Sequence, residues 1–248
     1  MARERADRAL VARGLFESRA RAQEAIAAGL VAVNGRVIAK PSEKIGDDDA
    51  VTAAAPHPWA SRGGVKLARA LDHFGIEPAG WTCVDLGAST GGFTDVLLSR
   101  GAARVLAVDV GHGQLHPRIA ADPRVVSLEG QDARAVTPEL MRAHGFGAAD
   151  MAVMDLSFIS LKLALPAVPA LLAPQGTLVA LIKPQFEAGR AFVDSRGLVR
   201  DPAVRRRVCD GVVALLQELG FAVAGVIPSP IAGGDGNEEF LAAARLAR

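Results

Sequence analysis

Across residues 5–13 the apolar positions Ala6, Leu10 and Val11 recur at near-helical spacing, and Gly14 ends the run. Ser18 stands as the N-cap of a second helix, Arg19 to Ala28, which Gly29 closes. Two short apolar runs, Leu30 to Val33 and Val37 to Ile38, then flank Asn34-Gly35. That pair signals a two-residue hairpin, because both positions accept positive φ. Two short helices and a hairpin thus predict a small α+β domain over residues 1–55. The acidic run Asp47-Asp48-Asp49 and the stretch from Thr52 to Pro58 read as a solvated join to a larger domain, residues 60–248.

Beyond the join, short apolar runs alternate with helical stripes. Strands are expected at Thr82–Asp85, Arg104–Asp109, Val125–Leu128, Met151–Asp155, Thr177–Ile182, Ala222–Ile227 and Glu239–Ala244. Helices are expected near 64–74, 92–100, 138–143, 161–172 and 202–219. The last is the clearest: Asp201 caps it, Pro202 takes its first turn, and Val204, Val208, Val212, Leu215 and Leu219 form its apolar stripe. Strands separated by helices predict an α/β fold, a mostly parallel doubly wound sheet with helices on both faces.

The chain has 248 residues, 50% of them apolar and 22% charged, enough to bury a sizeable core. Its two cysteines, Cys83 and Cys209, sit inside apolar runs and read as core residues of a reducing compartment. The longest apolar stretch, Leu163 to Pro174, is interrupted by Pro166 and Pro169 and is shorter than the ~20 residues that span a bilayer. No basic-then-apolar leader opens the sequence, so a cytoplasmic location is expected. The net charge of +1 is unevenly spread: residues 1–46 carry nine Lys/Arg and five Asp/Glu, whereas the rest carry nineteen and twenty-two. A basic head on a mildly acidic body points to a polyanion, with a solvated charged face as the plain alternative. Of the 28 basic residues only five are lysine: Lys40, Lys44, Lys66, Lys162 and Lys183. Lysine can shed its proton when buried and arginine effectively cannot, so each lysine is a candidate for chemistry.

The sequence Asp85-Leu86-Gly87-Ala88-Ser89-Thr90-Gly91-Gly92 follows the first strand of the body and opens a helix. Three ligand classes compete for such a loop. A dinucleotide fold needs G-x-G-x-x-G, and Ser89 stands where its middle glycine belongs. A phosphate loop needs Gly-Lys-Ser/Thr, and no lysine is near. S-adenosylmethionine fits best. Asp109 ends the next strand and can hold ribose hydroxyls, Asp132 follows the third strand and can accept from an adenine amino group, and Asp85 can meet the ammonium. Asp132 can equally be a turn residue. Asp155 and Lys183 end the fourth and fifth strands, where open α/β sheets bind their ligands. Lys66 lies on the helix before the glycine loop, and Glu239 follows a glycine-rich turn into the last strand; surface salt bridges are the plain alternative for both. The five histidines are scattered, and no metal-binding constellation is visible.

The order Lys66, Asp155, Lys183, Glu239 resembles the catalytic tetrad of FtsJ/RrmJ-type ribose 2′-O-methyltransferases. Further stretches resemble the TlyA (hemolysin A-like) family: Ser18-Arg19-Ala20-Arg21-Ala22, Val33-Asn34-Gly35, Ser61-Arg62-Gly63-Gly64, Asp85 to Asp95, Asp109 to Leu115, Asp155 to Leu161, Lys183-Pro184-Gln185-Phe186-Glu187 and Gly236 to Phe240. The resemblance implies a Rossmann-like methyltransferase sheet behind an N-terminal RNA-binding domain of the alpha-L type. It implies methyl transfer from S-adenosylmethionine to a ribose 2′-hydroxyl of ribosomal RNA, alone or within a ribosomal subunit, by a monomeric enzyme. Asp85, Gly87, Ser89, Gly91, Asp109 and Asp132 would bind the cofactor, and Lys66, Asp155, Lys183 and Glu239 would be catalytic. Asp132 departs from the asparagine more frequent in the family, and Glu238 is the fallback for Glu239. Lys183 could serve as base or as oxyanion stabiliser: a base must be neutral, whereas a neighbouring carboxylate favours the charged form. Arg3, Arg5, Arg19, Arg21, Lys40 and Lys44 are expected to meet RNA phosphates, which position rather than specify. Two rivals are a membrane-active hemolysin, for which no transmembrane span or strongly amphipathic basic helix is seen, and an RNA-binding assembly factor with vestigial activity.

Overall fold

The computed structural model describes residues 3–233 and 236–247. The chain divides into two units, residues 1–58 and 59–248. The first unit opens with strand β1 (Arg3–Arg5) and helices α1 (Ala6–Ala12) and α2 (Arg19–Ala27). Ser18 caps α2, its hydroxyl accepting from the Arg21 backbone N–H at 3.3 Å. Strands β2 (Val31–Val33) and β3 (Arg36–Val37) form the expected hairpin, with Asn34 at φ 50° and Gly35 at φ 79°. Strand β4 (Lys44–Gly46) returns to pair with β1, and β5 (Val51–Ala53) pairs with β2. Leu10, Phe16, Ile26, Val31, Ile38 and Ile45 fill the small core.

Asp47–Asp49 is not part of the join. Asp49 accepts hydrogen bonds from the Gly46 N–H at 2.7 Å and the Asn34 amide at 2.8 Å, which turns the chain from β4 into β5. Thr52 and Ala53, read as join, are strand residues. Pairing with β2, invisible to local pattern, draws this segment into the domain.

The second unit begins with α3 (Gly63–Phe74), β6 (Thr82–Leu86), α4 (Gly92–Ser99), β7 (Arg104–Val108), α5 (Pro117–Ala120) and β8 (Val125–Leu128). It continues with α6 (Pro138–Ala143), β9 (Ala149–Met154), α7 (Leu161–Ala164), α8 (Val168–Leu171) and β10 (Leu172–Ile182). It closes with α9 (Pro184–Glu187), α10 (Pro202–Glu218), β11 (Phe221–Pro228) and β12 (Phe240–Leu246). The seven strands form one sheet in the order β11-β12-β10-β9-β6-β7-β8, with β12 antiparallel to both its neighbours and the block from β10 to β8 parallel. Alternating residues of each central strand feed two cores. Val84, Leu106, Ala152 and Met154 face the layer that contains α7, α8 and α10, whereas Cys83, Val105, Met151 and Val153 face α3 and α4.

The single helix expected over 161–172 does not form. α7 gives way to a 3₁₀ turn at Leu165–Ala167 and then to α8, and Leu172 already belongs to β10. Pro166 and Pro169 supply no backbone N–H, so a continuous ladder of helical hydrogen bonds is impossible there. Both cysteines are free. Burial pushes the Cys83 thiol up to about 12 and the Cys209 thiol up to about 11, as inert core residues require.

Candidate active site

The order of the sheet changes direction at β6, whose neighbours are β7 on one side and β9 on the other, and ligands of open α/β sheets bind outside the strand ends at such a point. Gly87 follows β6 with φ 90°. A Cβ there would lie 2.7 Å from the Asp155 carbonyl oxygen, so only glycine lets the ends of β6 and β9 approach so closely. Ser89 adopts φ 47°, and its N–H donates to Asp109 Oδ2 at 2.8 Å, while Gly111 N–H donates to Oδ1 at 2.7 Å. Asp109 thereby ties the loop after β7 to the glycine loop, with lone pairs to spare.

A cavity of about 420 Å³ opens here, lined by Gly87, Ser89, Asp109, Gln114, Asp132 and Ser157 among others. Of the six residues assigned to the cofactor, Gly87, Ser89, Asp109 and Asp132 line it. Gly91 is instead the left-handed N-cap of α4. Asp85 is fully buried; Thr94 Oγ1 donates to its Oδ2 at 2.7 Å, and its Oδ1 has no hydrogen-bond partner. Burial raises the Asp85 carboxyl to about 7. Asp132 also plays the turn role: it accepts from the Arg134 N–H at 2.8 Å and pairs with the Arg134 guanidinium at 2.6 Å, which holds its carboxyl below the usual range.

The four ionisable residues form two ion pairs. Lys66 Nζ, on α3, lies 2.5 Å from Glu239 Oε2, just ahead of β12, and both groups are buried. Lys183 Nζ, at the end of β10, lies 2.6 Å from Asp155 Oδ1, at the end of β9, and donates to Ser157 Oγ at 2.8 Å. A Cβ on Gly63 would stand 3.6 Å from Asp155 Oδ2, so the start of α3 faces the end of β9. Glu238 points elsewhere, paired with Arg205 at 3.2 Å and largely exposed, which leaves Glu239 as the inner glutamate.

A second cavity, of about 410 Å³, is lined by Lys183, Glu239, Gln185, Phe186, Ser157 and Phe158 among others. Ser157 and Phe158 wall both cavities. Sequence alone assigns no role to Ser157, Thr94 or Gln185. Two are polar residues two places beyond a strand-end charge, the one signal that could have marked them. Among the described residues no cluster suited to a metal ion occurs, and no helix is long and apolar enough to cross a membrane.

In the first unit, Arg5 and Arg19 converge on the buried Asp7, at 3.0 and 2.8 Å, and hold its carboxyl far below the usual range. Arg21 is engaged with His57, donating to its carbonyl at 3.0 Å. Arg3, Lys40 and Lys44 are exposed, and Lys44 is the cross-strand partner of Arg5. Part of the basic charge therefore also organises the domain.

The second unit shares its fold with solved methyltransferases, such as an S-adenosylmethionine-dependent one from Mesorhizobium loti at TM-score 0.51 and 17% identity, over 71% of this chain and 96% of that one. It is an α/β methyltransferase fold. Residues 59–246 match the FtsJ-like methyltransferase family and residues 4–51 the S4 domain. The 16S/23S rRNA (cytidine-2′-O)-methyltransferase TlyA of Mycobacterium tuberculosis is 47% identical over 240 residues, 96% of this chain and 88% of that one. Hemolysin A of Brachyspira hyodysenteriae is 39% identical over 96% of this chain and 98% of its own length. A solved structure from Streptococcus thermophilus, also carried under the name hemolysin, superposes with a TM-score of 0.77 at 42% identity, over 99% of this chain and 89% of that one. The chain belongs to the FtsJ-like methyltransferase family, in its TlyA branch with an S4 domain at the head.

Proposed function

We propose that this protein transfers a methyl group from S-adenosylmethionine to the 2′-hydroxyl of a ribosomal RNA cytidine, the reaction named for its mycobacterial relative. The observation that carries the reading is the pair of lysine–carboxylate contacts set around two cavities with a common wall at Ser157 and Phe158. One cavity suits a donor and the other an acceptor, side by side.

The donor site fits the cofactor. The free Asp85 Oδ1 is an acceptor suited to an ammonium, Asp109 has lone pairs for ribose hydroxyls, and Asp132 can accept from an adenine amino group. Ser89 removes the glycine that a pyrophosphate-binding loop needs. When bound, the cofactor supplies a methyl group on a sulfonium, an electrophile that needs no metal. The protein must align a weakly nucleophilic hydroxyl and take its proton. Asp155 and Ser157 hold Lys183 Nζ at the acceptor cavity, where the hydroxyl gives its proton to the Lys183–Asp155 pair as its oxygen gains the methyl. Glu239 fixes Lys66, whose charge adds to the field around the developing oxyanion. The S4 domain positions the RNA through Arg3, Arg5, Arg19, Arg21, Lys40 and Lys44. The reading takes the enzyme to act as a monomer in the cytoplasm, where ribosomal RNA is found.

Mapping 2′-O-methyl groups on ribosomal RNA from cells with and without the protein tests this. A cytidine methylated only in its presence, and lost with Asp155→Ala, is expected. Identical maps would refute the reading.

A further inference from the structure

One polar group at the acceptor cavity has no part in moving the methyl group. Gln185 sits in the first turn of α9, two residues beyond Lys183, and lines the cavity of about 410 Å³ with Lys183, Glu239, Ser157, Phe158 and Phe186. Its Oε1 is shut off from solvent and accepts no hydrogen bond from the protein. An amide oxygen buried without a donor is unfavourable and calls for an explanation in a ligand or a function. The terminal torsion of glutamine is broad and roughly two-fold, so the amide can turn its oxygen into the cavity when a donor arrives.

Which donor an RNA can offer there follows from its chemistry. Within the target nucleotide the phosphates, the ring oxygen and the 3′-oxygen only accept. Its 2′-hydroxyl has a single hydrogen, the one given up toward Lys183 and Asp155. The donors left on that nucleotide are the N–H groups of its base, which is the part that a flipped-out nucleotide inserts into a pocket. We propose that Gln185 is a specificity-determining residue that accepts a hydrogen bond from the exocyclic amino group of the target base. A cytosine offers such a donor in its N4 amino group. This inference rests on the 2′-O-methyl transfer reading and adds what the acceptor base must carry.

The test is single-turnover methylation of ribosomal subunits reconstituted with either the mapped target cytidine or pyrimidin-2-one riboside in its place. That analogue keeps the ribose and N3 and lacks the amino group. The wild-type protein should be slower on the analogue by ~10-fold or more, the scale of one good base-edge pairing. Gln185→Met, of similar length and without the amide, should already be slow on cytidine and lose nothing further on the analogue, because the two deletions remove the same interaction. Cofactor affinity should be unchanged by the substitution. If the variant still suffers the full analogue penalty, the amide does not meet the amino group and the proposal fails. Equal wild-type rates on the two substrates overturn it without any variant, so a misfolded Gln185→Met would not protect it. Wild-type protein that methylates no ribosomal 2′-hydroxyl would remove the underlying reading as well; methylation without an analogue penalty removes the role of Gln185 alone.

Discussion

The titration of Asp85 should govern how the cofactor binds. In the free protein this carboxyl is fully buried, keeps one oxygen without a partner and holds its proton up to about pH 7 instead of the ordinary 3.8. Meeting the cofactor ammonium requires the ionised form, so the proton must leave on binding. The sign follows: below pH 7 the protonated carboxyl opposes binding, and affinity rises with pH until about 7. With a free-protein value near 7 and a carboxyl that stays ionised while the cofactor is bound, affinity should increase about twentyfold from pH 5.5 to pH 7.5. At more alkaline pH it should fall again, as the ligand's own α-amino group loses its charge. Without ligand the same group makes the fold less stable as pH climbs from about 4 to about 7, because the unfolded chain has already lost that proton. Calorimetric titration with the demethylated cofactor product, in buffers of different ionisation heat, reads both quantities. About half a proton should be released per binding event at pH 7. Asp85→Asn should abolish the acid limb and the proton release while keeping the alkaline limb. A wild-type affinity that is flat from pH 5.5 to 7.5, or proton uptake on binding, would refute the assignment of Asp85 to the ammonium.

Lys183→Arg keeps the charge but should slow single-turnover methylation ~10²-fold at saturating cofactor and RNA, the scale of positioned acid–base help; a near-normal rate would leave Lys183 only an electrostatic role. Deleting residues 1–55 should leave cofactor binding intact and abolish methylation of ribosomal RNA, and a truncated protein working at full rate would show that the head does not recognise the substrate. If the six basic residues of the head each neutralise one phosphate, the intact protein's RNA affinity should fall with salt at a log–log slope of about −4 to −5. Asp7→Asn removes the carboxylate that gathers Arg5, Arg19 and Gln23 and should lower the melting temperature of the head by several degrees. Because Arg5 and Arg19 depress the Asp7 carboxyl, its stabilisation is present above about pH 4 and fades as pH falls further; a melting curve unchanged by Asp7→Asn at pH 7 would contradict this.

Local rules settled much of this molecule. Turn chemistry alone marked the hairpin at Asn34-Gly35, capping marked the starts of α2 and α10, and short apolar runs between helical stripes marked the presence of all seven strands of the large sheet, because each signal depends on neighbours a few residues away. The glycine loop was equally legible, since Gly87 has to let two strand ends meet. What sequence could name but not join were the charges. Lys66 meets Glu239 across 173 positions, and only the antiparallel insertion of β12 beside β10 brings the second to the first. The break between α7 and α8 and the capture of Val51–Ala53 by β2 likewise went against the local reading, one through missing backbone donors and the other through a long-range ladder. The unpaired oxygens of Asp85 and Gln185 could not be seen in sequence at all, because a hydrogen bond left unmade is a property of everything packed around the atom. Sequence named the candidate side chains; packing decided which of them touch, and which buried polar atoms are left without a protein partner.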